Sequence, residues 1–502
     1  MTGDSLNAAR RAADLDKTAA DGVDVLVVGL GATGAGAALD AASRGLSVAA
    51  IDAHDLAFGT SRWSSKMIHG GLRYLAKGQV DVAYESAVER GVLLRRTAPH
   101  LVESHPYLLP LTPALPRRRA ALVMAGLRLG DGLRAASRTP RHLLPGPSRL
   151  PADKARHLAP VLSGEGLRGA LLSWDGRLSD DARLVVAIAR TAAGCGARIL
   201  TRVRALELRA DGARVRDELT GEEFDVRARA VVNATGVWAG GLDPSVELRP
   251  SRGTHLVFRE EALPGLRTGL HVPIPGEFNR FALVLPQSDG RVYVGLTDEP
   301  VEGPVPDVPE APERDVRTLL EVLNSVLEAP VPREAVAGAY AGLRPLLAGG
   351  GRTADLSRRH AVLGDGGFVT VVGGKLTTYR RMAQDAVDLA VKLRDLDAGP
   401  SITARLPLVG ARGAPARGAG IAGRELARLA RRYGSEAVAV LAYVRREPDP
   451  VGAGVTKGEL RWAVEHEGAL DESDLLDRRT RVGLIPEDRE AALEAAGDVL
   501  KG

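Results

Sequence analysis

The stretch that most constrains this chain is Asp24-Val25-Leu26-Val27-Val28-Gly29-Leu30-Gly31-Ala32-Thr33-Gly34. A short β-branched run of this kind predicts a parallel strand buried on both faces. Glycines at G-x-G-x-x-G spacing end it, and a helix is predicted over residues 35–42. A second strand over 47–51 ends at Asp52. In such a βαβ unit the first glycine permits the tight bend. The second lets the backbone approach a pyrophosphate, and the third lets helix and strand pack closely. The helix N-terminus offers free N–H groups and a positive dipole end to the phosphates. An acid about 20 residues on suits ribose hydroxyls, and Asp52 is placed for that. Gly29, Gly31, Gly34 and Asp52 therefore predict a dinucleotide site, without deciding between a flavin and a nicotinamide.

At 502 residues the chain exceeds one core, so two or three domains are expected. The charge of +4 gives no ground for a nucleic-acid partner. Cys195 is the only cysteine, which excludes an internal disulfide, a Cys-rich zinc site and an iron–sulfur cluster. No metal site is expected, and a reduced, intracellular compartment fits. Residues 1–21 lack the apolar core of a secretory signal and read as a helical or disordered extension. No stretch reaches the roughly 18 apolar residues that span a bilayer, so any membrane contact is peripheral.

The segment Thr60-Ser61-Arg62-Trp63-Ser64-Ser65-Lys66-Met67-Ile68-His69-Gly70-Gly71-Leu72-Arg73-Tyr74-Leu75 follows the acid and is dense in hydroxyls, glycines and basic groups. Such a loop can wrap a phosphate or a flavin ring with backbone N–H groups. It closely resembles the flavin-dependent glycerol-3-phosphate dehydrogenases. Asn233-Ala234-Thr235-Gly236, Gly342-Leu343-Arg344-Pro345-Leu346 and Gly373-Gly374-Lys375-Leu376-Thr377-Thr378-Tyr379-Arg380 resemble further motifs of that family in the same order. So do residues 180–184 and the C-terminal helical region. The sequence departs from the family at Arg62 and Trp63, where Ser and then Arg or a small residue are usual. It departs also at Thr33, at Val237 and in residues 1–20, which have no family counterpart.

The resemblance implies an α/β fold: a Rossmann-like FAD-binding domain, a mixed, mainly antiparallel substrate domain and a C-terminal helical domain. The FAD-binding domain is expected in three parts, 21–100, 168–248 and 350–400. The substrate domain takes 101–167 and 249–349, the helical domain 401–502, and 1–20 form an extension. FAD is the implied cofactor. Its implied contacts are Gly29, Gly31, Gly34, Asp52, Thr60, Ser61, Ser65, Lys66, His69, Gly70, Gly71, Val203, Ala234, Gly236, Gly374, Lys375, Leu376 and Thr377.

The implied reaction is oxidation of sn-glycerol 3-phosphate to dihydroxyacetone phosphate, with hydride passing from C2 to flavin N5. A phosphate dianion calls for fixed cations, for which arginine suits best. Arg73, Tyr74, Arg344, Arg358 and Lys375 are the implied substrate contacts. A base must reach the C2 hydroxyl, and His69 and His255 both remain candidates. Lys375 or Arg344 can stabilise the developing alkoxide. Electrons are expected to pass to a membrane quinone. The alternatives are a glycerol-3-phosphate oxidase that uses oxygen, or a non-enzymatic flavin-binding protein. A homodimer is left open.

One further segment bears on the quinone. Residues 117–149 hold eight arginines and one acid, Asp131, around the apolar run 120–127. It reads equally as a basic interfacial helix on an anionic membrane and as an ordinary helix packed on the substrate domain. The first reading places the chain in the cytoplasm, peripheral on the inner face of the cell membrane.

Overall fold

The strand Val23–Val28 (β1) forms where the sequence predicts it and runs parallel to Val48–Asp52 (β2) on one side and Glu223–Asn233 on the other. The computed structural model describes residues 3–75, 78–277, 280–348, 359–365, 367–413 and 423–501; the side chains of residues 72, 73, 365 and 424 fall outside that description. Phe368–Gly373 and Arg198–Thr201 extend the parallel sheet at its two sides. Alternation along β1 explains the layers. Val25 and Val27 pack on the helices Ala32–Ser43 (α2), Asp181–Gly194 and Tyr379–Arg394. Leu26 and Val28 face the opposite layer, built from the strands Val203–Arg209 and Gly212–Asp217. A strand buried on both faces needs apolar residues at every position, as β1 has.

Residues 198–209 hold two strands rather than one continuous run. Arg202 lies between them at φ +59°. The bend lets the first half stay parallel to β2 while the second pairs antiparallel with Gly212–Asp217.

The second sheet has ten strands, and only the pairing of Gly269–Pro273 with Val102–Pro110 is parallel. One face is covered by the amphipathic helix Glu313–Asn324, which buries Val316, Leu319, Val322 and Leu323. The expected domain boundaries shift here. Ala170–Leu178 falls in the 168–248 part expected in the FAD-binding domain. It instead pairs along its whole length with Val102–Pro110. Met67–Ile68 also joins this sheet. In both, pairing to a distant strand overrides position in the sequence.

Of the two readings of the N-terminal extension, residues 3–21 take the helical one. The helix Ala8–Asp21 (α1) packs on the parallel sheet, and Arg11 is buried against Asp217 at 2.6 Å. At the C-terminal end, helices Lys457–His466 and Pro486–Lys501 pack together, and a buried patch of charge lies beside them. Arg183 grips Glu467 with two bonds of 2.5 and 2.7 Å, and Asp55 is held by Arg478 and Arg479. The Gly/Pro/Ala-rich stretch 409–420, which reads as a linker from its sequence, falls mostly outside the described residues.

Candidate active site

Three strand ends lie side by side. Val28 is in register with Asn233, and Asn233 with Thr370. The segments that follow, Gly29–Gly34, Ala234–Gly236 and Gly374–Thr377, therefore emerge together at the carboxyl edge of the sheet, where ligands of open parallel sheets bind. Gly29 sits at φ +102°, and a Cβ there would lie 2.6 Å from the Ala234 carbonyl oxygen. A Cβ on Gly34 would lie 1.8 Å from the Gly29 oxygen. Both must be glycine for α2 to start this close to β1. Gly374, at φ +70°, has a similar close contact with Met382. Gly236 is left-handed at φ +62° with open space around it.

Asp52 accepts from the Leu30 N–H at 2.7 Å and from the His54 N–H at 2.8 Å. Burial pushes its pKa up to about 6, against these two bonds. Each carboxylate oxygen retains capacity for a hydroxyl donor. Ser61 accepts from the Ala32 N–H at the first turn of α2, at 2.9 Å. Thr60 donates to the Leu343 oxygen and so ties the loop to the second sheet. Val203 is fully buried, so only its main chain can face a cofactor. Thr377 is buried in the turn Leu376–Thr378, which leads into Tyr379–Arg394.

The Lys66 side chain is buried within the loop. Its ammonium turns into the protein, not towards the strand ends. It donates to Tyr340 Oη at 3.0 Å and to the oxygens of Ser64 and Arg62, 3.2 Å from Asp181. Burial and Arg481 push its pKa down to about 7, against the pull of Asp181. Its side chain thus holds the loop, and only its main chain remains for a cofactor.

The second sheet supplies the opposing wall. Ser251 pairs with Arg344 and His255 with Tyr340 in one antiparallel register, so all four side chains share a face. Arg344 donates to Asp298 at 3.0 Å, to Ser251 at 3.2 Å and to the Thr297 oxygen. A Cβ on Gly253 would lie 2.3 Å from its guanidinium. His255 is 1% exposed. It shares a 2.8 Å hydrogen bond with Ser65 and stacks on Tyr340 at 4.8 Å. Burial, then the charges of Lys66 and Arg344, hold its pKa well below the usual imidazole value. It is a neutral imidazole at physiological pH.

Lys375 and Tyr74 come together at the other end of the loop. The ammonium lies 4.1 Å from the Tyr74 ring centre and bonds Ser86 Oγ. His69 Nδ1 accepts from the Gly71 N–H, and the Gly70 N–H donates to Asp175, which also holds Arg90. The Arg73 side chain and the whole of Arg358 lie outside the described residues. Sequence reasoning missed Asp298, Tyr340 and Asp175, which hold the site residues in place. The first two had a signal. Tyr340 precedes Arg344 by an even spacing on a strand, and Asp298 closes the turn after a buried strand.

A cradle for an extended dinucleotide on one lobe, faced by a charged and water-poor wall on the other, is the layout of an FAD-dependent oxidoreductase. The family model described as FAD dependent oxidoreductase matches residues 24–380, and that of the C-terminal domain of alpha-glycerophosphate oxidase matches 401–502. The chain is 52% identical to glycerol-3-phosphate dehydrogenase 1 of Mycobacterium tuberculosis over 99% of this chain and 98% of that protein. It is 37% identical to the glycerol-3-phosphate dehydrogenase of Mycobacterium leprae, over 96% and 84%. Among solved structures, the glycerol-3-phosphate dehydrogenase of Bacillus halodurans complexed with FAD matches with a TM-score of 0.76 and 26% identity, covering 99% of this chain and 94% of that one. The chain belongs to the FAD-dependent glycerol-3-phosphate dehydrogenase family. FAD is its cofactor. The 99% coverage also overturns the expectation that residues 1–20 have no family counterpart.

Proposed function

We propose that the protein oxidises sn-glycerol 3-phosphate to dihydroxyacetone phosphate and hands the electrons to a membrane quinone. The observation that carries the substrate is Arg344, fixed by Asp298 and Ser251 on the same sheet face as the buried His255. Bound FAD supplies the acceptor, at N5, for the hydride leaving C2. The residues that hold it are the glycine turn, Asp52, Ser61 and the main chain of Gly374–Thr377.

Arg344, with Lys375 at the far end of the loop, binds and orients the phosphate dianion. His255 takes the proton of the C2 hydroxyl. It is neutral, and the phosphate dianion offsets the Arg344 charge that depresses its basicity. Ser65 fixes the ring. His69 accepts a backbone N–H and orients the turn instead of serving as base.

The helix Arg117–Ala136 supports the quinone reading. Val123, Met124 and Leu127 pack on Leu109, Leu115 and Leu171, while Leu122 and Leu129 are 59% and 65% exposed beside Arg117 and Arg118. An apolar strip flanked by arginines suits the interface of an anionic leaflet, on the inner face of the cell membrane. Among the described residues no helix is long and apolar enough to cross a membrane.

The test is anaerobic mixing of the purified holoenzyme with sn-glycerol 3-phosphate, glycerol or glycine. Bleaching of the flavin by the phosphate ester alone is expected. Bleaching by the amino acid alone would overturn the substrate. Turnover with a soluble quinone faster than with oxygen is expected, and the reverse order would identify an oxidase.

A further inference from the structure

A cavity of about 370 Å³ lies between the loop that follows β2 and the C-terminal region. Counting roughly 30 Å³ for each water, it has room for a phosphate group on a short carbon skeleton. Gly29, Gly31, Asp52, Ser61, His255 and Arg344 are not among its lining residues, so it is neither the dinucleotide cradle nor the wall opposite.

Its charges mostly cancel. Glu218 pairs with Arg204 and Arg216, and Asp477 with Arg489. Arg202 pairs with Asp471, and Arg478 with Asp55. Arg62 is the exception. It is 4% exposed and lines the cavity. Its Nε donates to the Phe58 oxygen at 2.9 Å, and the guanidinium lies over the rings of Trp63 and Phe58 at 4.2 and 5.1 Å. Among the described residues no carboxylate lies within 4.0 Å of it, and its two terminal nitrogens make no hydrogen bond to protein.

A buried cation with no carboxylate in contact is costly even with Asp477, Asp55 and Asp181 further off, and two aromatic faces recover only part of that cost. The unused nitrogens present a flat fork to the cavity, the shape that takes two oxygens of a phosphate. We propose that the cavity is a second anion site, separate from the substrate site, in which Arg62 binds a phosphate dianion, free or carried on a small metabolite. The turn Thr60–Arg62 joins it to the residues that tie the loop to α2 and to the second sheet.

The test is calorimetric titration of the FAD-loaded enzyme with inorganic phosphate and, separately, with ribose 5-phosphate. Wild type should bind two phosphates per chain. Arg62→Gln should weaken one of them at least tenfold and leave the other, and Arg344→Gln should do the converse. Tighter binding of the ester than of the free ion assigns the site to a phosphorylated metabolite, and the reverse assigns it to phosphate itself. A single site in wild type, or two unchanged sites in Arg62→Gln, would overturn the proposal. Binding at Arg62 only after FAD is removed would overturn it too, by assigning the cavity to the cofactor. Should Arg62→Gln not fold, a tungstate soak of wild-type holoenzyme crystals decides: a heavy-atom peak beside Arg62 supports the site, and its absence refutes it.

Discussion

Arg344 shows how a single residue is prepared for its task. Three oxygens, from Asp298, Ser251 and Thr297, hold its guanidinium before any substrate arrives. Arg344→Ala should lower kcat/KM for sn-glycerol 3-phosphate about 30- to 1000-fold, since one charged contact to phosphate is worth on the order of 2–4 kcal/mol. Flavin content should be unchanged. Steady-state kinetics beside the flavin absorbance checks this, and a parallel loss of flavin would assign Arg344 to the fold. Lys66 gives a pH-dependent prediction. Its pKa falls from 10.5 to about 7 on folding, so above pH 7 the unfolded chain carries the extra proton. The folded state must therefore gain relative stability as pH rises from 7 towards 10.5. Lys66→Met removes the titrating group. Against wild type, its unfolding midpoint should lose ground between pH 7 and pH 9, by an amount on the order of a few kcal/mol. A midpoint difference that stays flat over this range would refute the buried, proton-poor lysine.

Among the elements, the helix Arg117–Ala136 has two sides with separate work. Arg119 is tied to the Glu277 oxygen at 2.7 Å, whereas Arg117, Arg118, Leu122 and Leu129 face outward. Replacing Arg117 and Arg118 by Gln and both leucines by Ser should abolish binding to anionic vesicles and quinone-linked turnover, with dye-linked turnover intact. Equal losses in both assays would show that the helix serves the fold alone. The β1–α2–β2 unit was legible because its glycine spacing and apolar run follow from close approach and two-sided burial. The loop 60–75 and the turns at 233 and 373 were legible by resemblance. The strand Ala170–Leu178 was not, because its partner lies some 70 residues earlier and nothing local encodes that pairing. The direction of the Lys66 side chain was not legible for a related reason. Its motif marks a loop near the flavin, but the direction of its side chain is set by Asp181 and Tyr340, which the fold alone brings close.

Across the whole molecule, buried ion pairs join the C-terminal region to the dinucleotide lobe. Glu467 is fully buried, and Arg183 and Arg190 hold its pKa near 2 despite burial. Removing one partner of such a pair costs about 3–5 kcal/mol, because the other is left charged in the interior. Glu467→Gln should therefore lower the unfolding midpoint markedly. Calorimetry should show one transition in wild type, since each lobe completes the other, and two in the variant. A single unshifted transition in Glu467→Gln would show that the contact is passive.

The clamp on Asp55 has a consequence for how the protein is made. Arg478 and Arg479 stand more than 420 positions further along the chain. They fix the loop between β2 and Ser61, which leads into the residues proposed to hold the flavin. During translation the residues proposed to hold the dinucleotide leave the ribosome first, yet the loop after β2 lacks its clamp until residues 478 and 479 follow. Stable retention of flavin is accordingly expected only once residues 478 and 479 are in place. A nascent chain stalled before residue 478 should bind FAD and lose it quickly, while the released protein keeps it.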